Sequence, residues 1–100
     1  MLTMENLFSI EGKVIIVTGA GKGIGYELAT NLAKYSAIIY SLDKKFAKKI
    51  PKNLSSNITE IKCDITNSKK IRQVFKKIFL KEKRIDVLIN NAGVSFASQK

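Results

Sequence analysis

The sequence predicts an α/β fold: a parallel sheet in the order β-α-β-short α-β-α-β, ending after the fourth strand. Three observations predict it. Four short apolar runs rich in β-branched residues recur along the chain, and two of the segments between them carry helical periodicity. Each run stops at a cluster of Gly, Asp or Asn. Buried strands alternating with helices need crossover connections, which are right-handed and leave the strands parallel.

The elements follow in order. Lys13–Thr18 (KVIIVT), bounded by Gly12 and Gly19, reads as a strand buried on both faces. Ile24, Leu28, Ala29 and Leu32 recur at helical spacing, which predicts a helix from about Gly23 to Tyr35. Ala37–Leu42 (AIIYSL) is a second strand, ended by Asp43. Phe46–Ile50 is expected to form one helical turn stopped by Pro51, with a polar loop over Asn53–Asn57. Ile58–Cys63 (ITEIKC) alternates as a third strand, and Asp64–Ser68 offers several capping side chains. Ile71, Val74, Phe75, Ile78 and Phe79 make the clearest amphipathic stripe, predicting a helix over Ser68–Lys83. Ile85–Asn90 (IDVLIN) is the fourth strand, followed by Asn91-Ala92-Gly93.

Composition narrows the function. The 100 residues are 45% hydrophobic and 26% charged, which fits one small globular unit or part of a larger one. With Cys63 as the single cysteine, no disulfide framework or cysteine-rich zinc site is possible. The absence of histidine excludes His-based triads and His-ligated metals, so no metal site is expected. No apolar run approaches the ~20 residues of a membrane span. The first twelve residues, with Glu5 and Glu11, show no signal peptide. A cytoplasmic location with no membrane partner is the expectation.

The net charge of +10 is uneven. Residues 44–84 carry 14 basic and 3 acidic side chains, whereas residues 1–43 are close to neutral. Such a basic half raises nucleic acid as a partner. Against that, only Arg72 and Arg84 are arginines, and arginine is the better bidentate reader of phosphate and guanine. A solvated lysine surface, with no nucleic-acid partner, is the expected reading.

The chemistry collects at the carboxyl ends of the strands, where open α/β sheets bind ligands. Between the first strand and the first helix, Gly19, Gly21, Gly23 and Gly25 fall within seven residues. A strand-to-helix loop of this kind is an anion site: unpaired N–H groups and the positive end of the helix dipole point outward, and glycine lets a ligand approach the backbone. The GxGxxG spacing fails, because its third glycine would fall at Ile24 or Tyr26. The P-loop pattern fails because Gly23, not Ser or Thr, follows Gly21-Lys22. What fits is Gly19-x-x-x-Gly23-x-Gly25, preceded by Thr18.

Here the residues resemble a known family. Thr18-Gly-Ala-Gly-Lys-Gly-Ile-Gly25 is similar to the TGxxxGxG cofactor motif of the short-chain dehydrogenases/reductases. Asn90-Asn-Ala-Gly93 resembles their NNAG motif, and Asp64 with Ile65-Thr66 their adenine-contacting acidic position. The resemblance covers nearly the whole chain but only the amino-terminal part of that family's Rossmann-like fold. Residues 1–100 are therefore expected to form a single partial NAD(P)-binding domain, a fragment or truncated reading frame of a longer reductase.

The resemblance implies roles. Gly19, Gly21, Gly23 and Gly25 would shape the turn, with Lys22 and the Ile24 N–H beside the cofactor diphosphate. Asp43 would accept the adenosine ribose hydroxyls, unless it serves only as a turn or cap residue. It favours NAD over NADP, although Lys22, Lys44 and Lys45 leave NADP possible. Asp64 would accept from the adenine amino group, cap the next helix, or both. Asn90, Asn91, Ala92 and Gly93 would brace the sheet end and touch the cofactor. The catalytic Ser, Tyr-x-x-x-Lys pair and further Asn implied by the resemblance are expected beyond the fourth strand. The chain is expected to lack that pair, and no residue is assigned to catalysis. The expected function is the cofactor-binding part of an NAD(P)-dependent oxidoreductase interconverting an alcohol and a carbonyl by hydride transfer. The alternative is a catalytically incomplete nucleotide-binding fragment. A small-molecule alcohol or carbonyl partner and a homo-oligomer are expected only with the missing part present. Two departures from the family pattern are Ser36 where a glycine usually ends the helix, and the short stretch after Asp43.

Overall fold

Strand β1 (Val14–Thr18) lies inside a four-stranded sheet of order β3-β2-β1-β4. The computed structural model describes residues 9–91. The partners are β2 (Ile38–Asp43), β3 (Ile58–Lys62) and β4 (Val87–Asn90), all parallel. Register places Thr18 opposite Leu42 on one side and Asn90 on the other. Both chain reversals around β1 therefore open at the same end of the sheet, the switch point where a crevice forms.

Alternation along β1 and β2 feeds two separate cores. Ile15, Val17 and Ile39 pack with Ala29 and Ala33 of helix α1 (Gly23–Ala33), and with Leu54. Val14, Ile16, Tyr40 and Leu42 pack with Val74 and Ile78 of helix α2 (Ser68–Glu82). The helices thus cover opposite faces, as right-handed crossovers on either side of β1 demand. This is the Rossmann-like parallel sheet the sequence implies. No described helix is long and apolar enough to cross a membrane.

Local chemistry fixes the ends. Helix α1 stops because Ser36 adopts φ 68°, a left-handed conformation that costs a non-glycine residue about 1 kcal/mol. The departure at Ser36 is therefore a real strain point. Asn67 caps α2, its side chain accepting from the Lys70 N–H at 3.1 Å. Lys83, at φ 67°, ends that helix, its N–H donating to the Phe79 carbonyl at 2.7 Å. At the amino end of the sheet, Asp86 accepts from the Val14 N–H and from Arg84 in a two-pronged ion pair, clamping β4 to β1.

Two expectations need correction. The short helix is not at Phe46–Ile50 but is a 3-10 turn at Lys52–Leu54, overlapping the start of the stretch read as loop. Pro51 starts that turn rather than stopping one, and Leu54 anchors it in the core. Residues 44–50 are held against the glycine loop instead, which forbids them a helical turn of their own. The second correction is Phe79. It lies at the margin of the α2 stripe and stays 51% exposed, because no described residue packs beyond β4 on that side.

Candidate cofactor-binding site

The glycines of the loop leaving β1 meet three different demands. Gly19 and Gly23 have φ of 66° and 61°, values that L side chains rarely adopt. Gly21 has no room: a Cβ there would stand 1.8 Å from the Lys45 carbonyl oxygen. Gly25 brings α1 onto the strand end, where a Cβ would stand 2.1 Å from the Gly19 carbonyl oxygen. The loop is tied to β2, since the Gly19 N–H donates to the Leu42 carbonyl at 2.8 Å. No side chain caps α1, Lys22 being its extended N-cap residue, and its first turn has no acidic residue. Helical geometry leaves the first N–H groups of such a turn without intrahelical partners. The open positive end, with Ile24 70% exposed beside it, fits an anionic group carrying an apolar neighbour.

The neighbouring strand ends supply two carboxylates. Asp43 accepts from the Gly21 N–H through Oδ2 at 2.9 Å and from the Lys44 N–H through Oδ1 at 2.7 Å. Each oxygen keeps a further lone-pair direction for a ligand hydroxyl. Asp64 Oδ1 accepts from the Thr66 hydroxyl at 2.6 Å and the Thr66 N–H at 2.9 Å. Those bonds, the hydroxyl first and with Lys44 adding, hold the Asp64 carboxyl below the usual carboxylate range. Asp64 does not cap α2, a task that falls to Asn67.

The fourth strand closes the site from the other side. The Thr18 hydroxyl donates to Asn90 Oδ1 at 2.9 Å. Asn91 Nδ2 donates to the Gly19 carbonyl at 3.1 Å, so the asparagine pair and the glycine loop form one unit. Ile65 joins Thr18, Ile71, Phe75, Leu88 and Asn90 around a cleft of about 230 Å³. Thr18, the four loop glycines, Lys22, Ile24, Asp43, Asp64, Ile65, Asn90 and Asn91 thus gather at one end of the sheet. Ala92 and Gly93 lie outside the described residues. Cys63 is buried and free, a small core residue. Among the described residues no cluster of acidic or sulfur ligands could hold a metal ion.

Sequence reasoning missed the roles of three residues here. Thr66 sets the Asp64 carboxylate, and its place two residues on, where a hydroxyl closes a local turn, was an available signal. Tyr26 reaches the Lys49 carbonyl at 2.8 Å, a backbone bond that side-chain patterns do not announce. The third is Tyr40, because the expectation that the chain lacks a Tyr-x-x-x-Lys spacing fails at Tyr40–Lys44. Position disqualifies that pair from acid–base work. Tyr40 is buried in β2 and its phenol donates to Glu82 of α2. Burial first, then Glu82, pushes its pKa up to about 12, away from the range a proton shuttle needs. On a strand, moreover, a four-residue spacing does not stack two side chains as a helical turn does.

A parallel sheet with helices on both faces and a glycine-built helix start at the switch point is a dinucleotide-binding architecture. The comparisons narrow it. The family model described as short chain dehydrogenase matches residues 13–100, and the chain belongs to that family. It is 36% identical over 89 residues to farnesol dehydrogenase of Aedes aegypti, covering 83% of this chain and 36% of that protein. It superposes with a TM-score of 0.73 and 28% identity on a short-chain dehydrogenase from Leptospira borgpetersenii with bound NAD+, covering 90% of this chain and 35% of that one. A metagenomic short-chain oxidoreductase in complex with NADP gives a TM-score of 0.72 and 26% identity, over 80% of this chain and 38% of that one. The chain therefore spans a little over a third of the length of these relatives. Family and neighbours together support a nicotinamide dinucleotide as the cofactor class.

Proposed function

We propose that this chain is the cofactor-binding part of an NAD(P)-dependent oxidoreductase that interconverts an alcohol and a carbonyl. The observation that carries the proposal is the uncapped start of α1, cradled by Gly19, Gly21, Gly23 and Gly25, with Asp43 one strand away. Lys22, the Ile24 N–H and the Gly25 N–H hold the diphosphate at the helix start. Asp43 takes the adenosine ribose hydroxyls, and Asp64 with Ile65 receives the adenine. Thr18, Asn90 and Asn91 keep the loop in shape. The bound nicotinamide supplies the hydride chemistry, and the residues here bind and orient it.

Asp43 favours NAD. A 2′-phosphate ~4 Å away meets about 4 kcal/mol of repulsion per unit charge at an effective dielectric near 20. Lys22, Lys44 and Lys45 oppose part of that, so NADP is the weaker ligand rather than an excluded one. Titration calorimetry with both dinucleotides tests the reading. NAD+ should bind tighter than NADP+, and Asp43→Ala should weaken NAD+ roughly tenfold or more, as loss of a charged hydrogen bond does. Equal NAD+ affinity for both proteins would sink the ribose assignment.

A second reading, a nucleotide-binding piece without activity of its own, is favoured by one observation. Tyr40–Lys44 lacks the placement of an acid–base pair, because Tyr40 is buried in β2 with its phenol on Glu82 of α2. Hydride-transfer assays on this chain and on a form with a downstream Tyr-x-x-x-Lys separate the two.

A further inference from the structure

The segment leaving β2 runs back across the glycine loop. The Lys45 carbonyl rests on Gly21, and the Ala47 N–H donates to the Gly21 carbonyl at 2.9 Å. The Tyr26 hydroxyl, from the start of α1, donates to the Lys49 carbonyl at 2.8 Å. The Lys48 ammonium stands 5.3 Å from the centre of the Tyr26 ring and 4.0 Å from a Glu27 carboxylate oxygen. Residues 44–50 hold four lysines and no regular secondary structure. A stretch without a hydrogen-bond ladder stays where its few contacts put it. Here those contacts are the cradle's backbone and the side chains of Tyr26 and Glu27.

We infer that residues 44–50 form a cationic strap across the cradle, and that Tyr26 is its fastener and thereby a positioning residue for the 2′ end of the adenosine ribose. The inference rests on the dinucleotide reading above. Asp43 enters the strap with its carboxylate fixed by the Gly21 and Lys44 N–H groups. Lys44 and Lys45 follow at once, and the Lys44 charge already acts on Asp64. With the strap docked, the backbone of these two exposed lysines is held directly after the Asp43 carboxylate, within reach of a group bound at that strand end. A 2′-phosphate then meets cations as well as an anion, whereas a 2′-hydroxyl needs only the carboxylate. Releasing the strap lets the two lysines move away from the cradle and leaves the carboxylate behind. Tyr26 therefore acts on the choice between the two dinucleotides more than on binding as such.

Tyr26→Phe removes the hydroxyl and keeps the ring, and Tyr35→Phe, on an exposed tyrosine, is the control. Two measurements are made on the intact chain: amide hydrogen exchange at Ala47 without nucleotide, and the affinities for NAD+ and NADP+. In Tyr26→Phe the Ala47 amide should exchange about tenfold faster. NADP+ affinity should fall about three- to tenfold, with NAD+ affected less than about twofold. Lys45→Met, which keeps the strap's backbone bonds, should reproduce the selective loss of NADP+ and preserve Ala47 protection. Unchanged exchange at Ala47 overturns the fastening. Faster exchange with both affinities unchanged, or lowered equally, overturns the role in selection, as does Lys45→Met weakening both dinucleotides alike. If the wild-type chain binds neither dinucleotide while Ala47 remains protected, the cofactor reading itself fails and takes the selection role with it, while the fastening stands on the exchange result.

Discussion

Strands β1 and β4 are hydrogen-bonded neighbours of similar apolar character, yet their surroundings differ. Every residue of β1 is buried, whereas Val87 and Leu88 of β4 are 41% and 49% exposed. Consecutive residues of a strand point to opposite faces, so β4 offers apolar surface on both sides of the sheet at once. That is the signature of a strand covered on both faces, not of a one-sided edge. The two strands show that an apolar run states a capacity for burial, which neighbours then fill or leave open. The described β4 edge carries apolar chemistry of the interior, and the relatives this chain matches are more than twice as long.

The largest effects should come from the β1 side. Gly21→Ala puts a Cβ against the Lys45 carbonyl carbon and oxygen, backbone atoms that cannot swing away. We expect a loss of about 3 kcal/mol or more, the upper end of overpacking costs, and loss of dinucleotide binding. Gly12→Ala is the matched comparison: its Cβ meets nothing within 4 Å, so only the positive φ is penalised, by about 1 kcal/mol. Urea unfolding of both variants checks the pair, and equal losses would mean that conformation, not space, governs Gly21. Ile39→Ala, in the β1–β2 core, should cost about 2–5 kcal/mol by the same assay.

On the β4 side the same kind of change should be nearly silent. Leu88→Lys should alter the stability of this chain by less than about 1 kcal/mol, since half of the side chain is already in water. It should also lower the binding of an apolar dye such as ANS, to which the exposed Leu88 offers apolar surface on one face of the sheet. A loss as large as that of Ile39→Ala would break the contrast, because it would show β4 to be covered in solution.

The sequence was most legible where one local rule sufficed. Apolar runs placed all four strands to within a residue or two, and the stripe Ile71, Val74, Phe75, Ile78 placed α2. The site was legible through resemblance, because no pairing rule tells Asn91 to reach the Gly19 carbonyl 72 residues away. What stayed hidden depends on backbone atoms and on context. The strap of residues 44–50 is held through carbonyls and amides that every sequence possesses, so composition suggested a helical turn instead. Asp64 and Asn67 are both good caps by type, and only the turn made with Thr66 decides between them. Exposure of Phe79 could not be read either, since periodicity gives the face of a helix but not how far its neighbour extends.

The smallest expected effect concerns Tyr40, which ties the covered strand β2 to the last turn of α2 through Glu82. Tyr40→Phe should cost about 0.5–1.5 kcal/mol at neutral pH, the worth of one hydrogen bond. Its pH signature is more specific than its size. Folding raises the phenol from its ordinary 10 to about 12, burial being the larger cause and Glu82 the next. The folded state therefore keeps its proton after the unfolded chain has lost it. The stabilisation is complete below pH 10 and disappears as pH rises through 12. Wild-type stability should decline across that window more steeply than that of Tyr40→Phe, with the two unfolding curves converging at the alkaline end. Parallel declines would show that the Tyr40 phenol reaches solvent and that the contact with Glu82 does not hold β2 to α2.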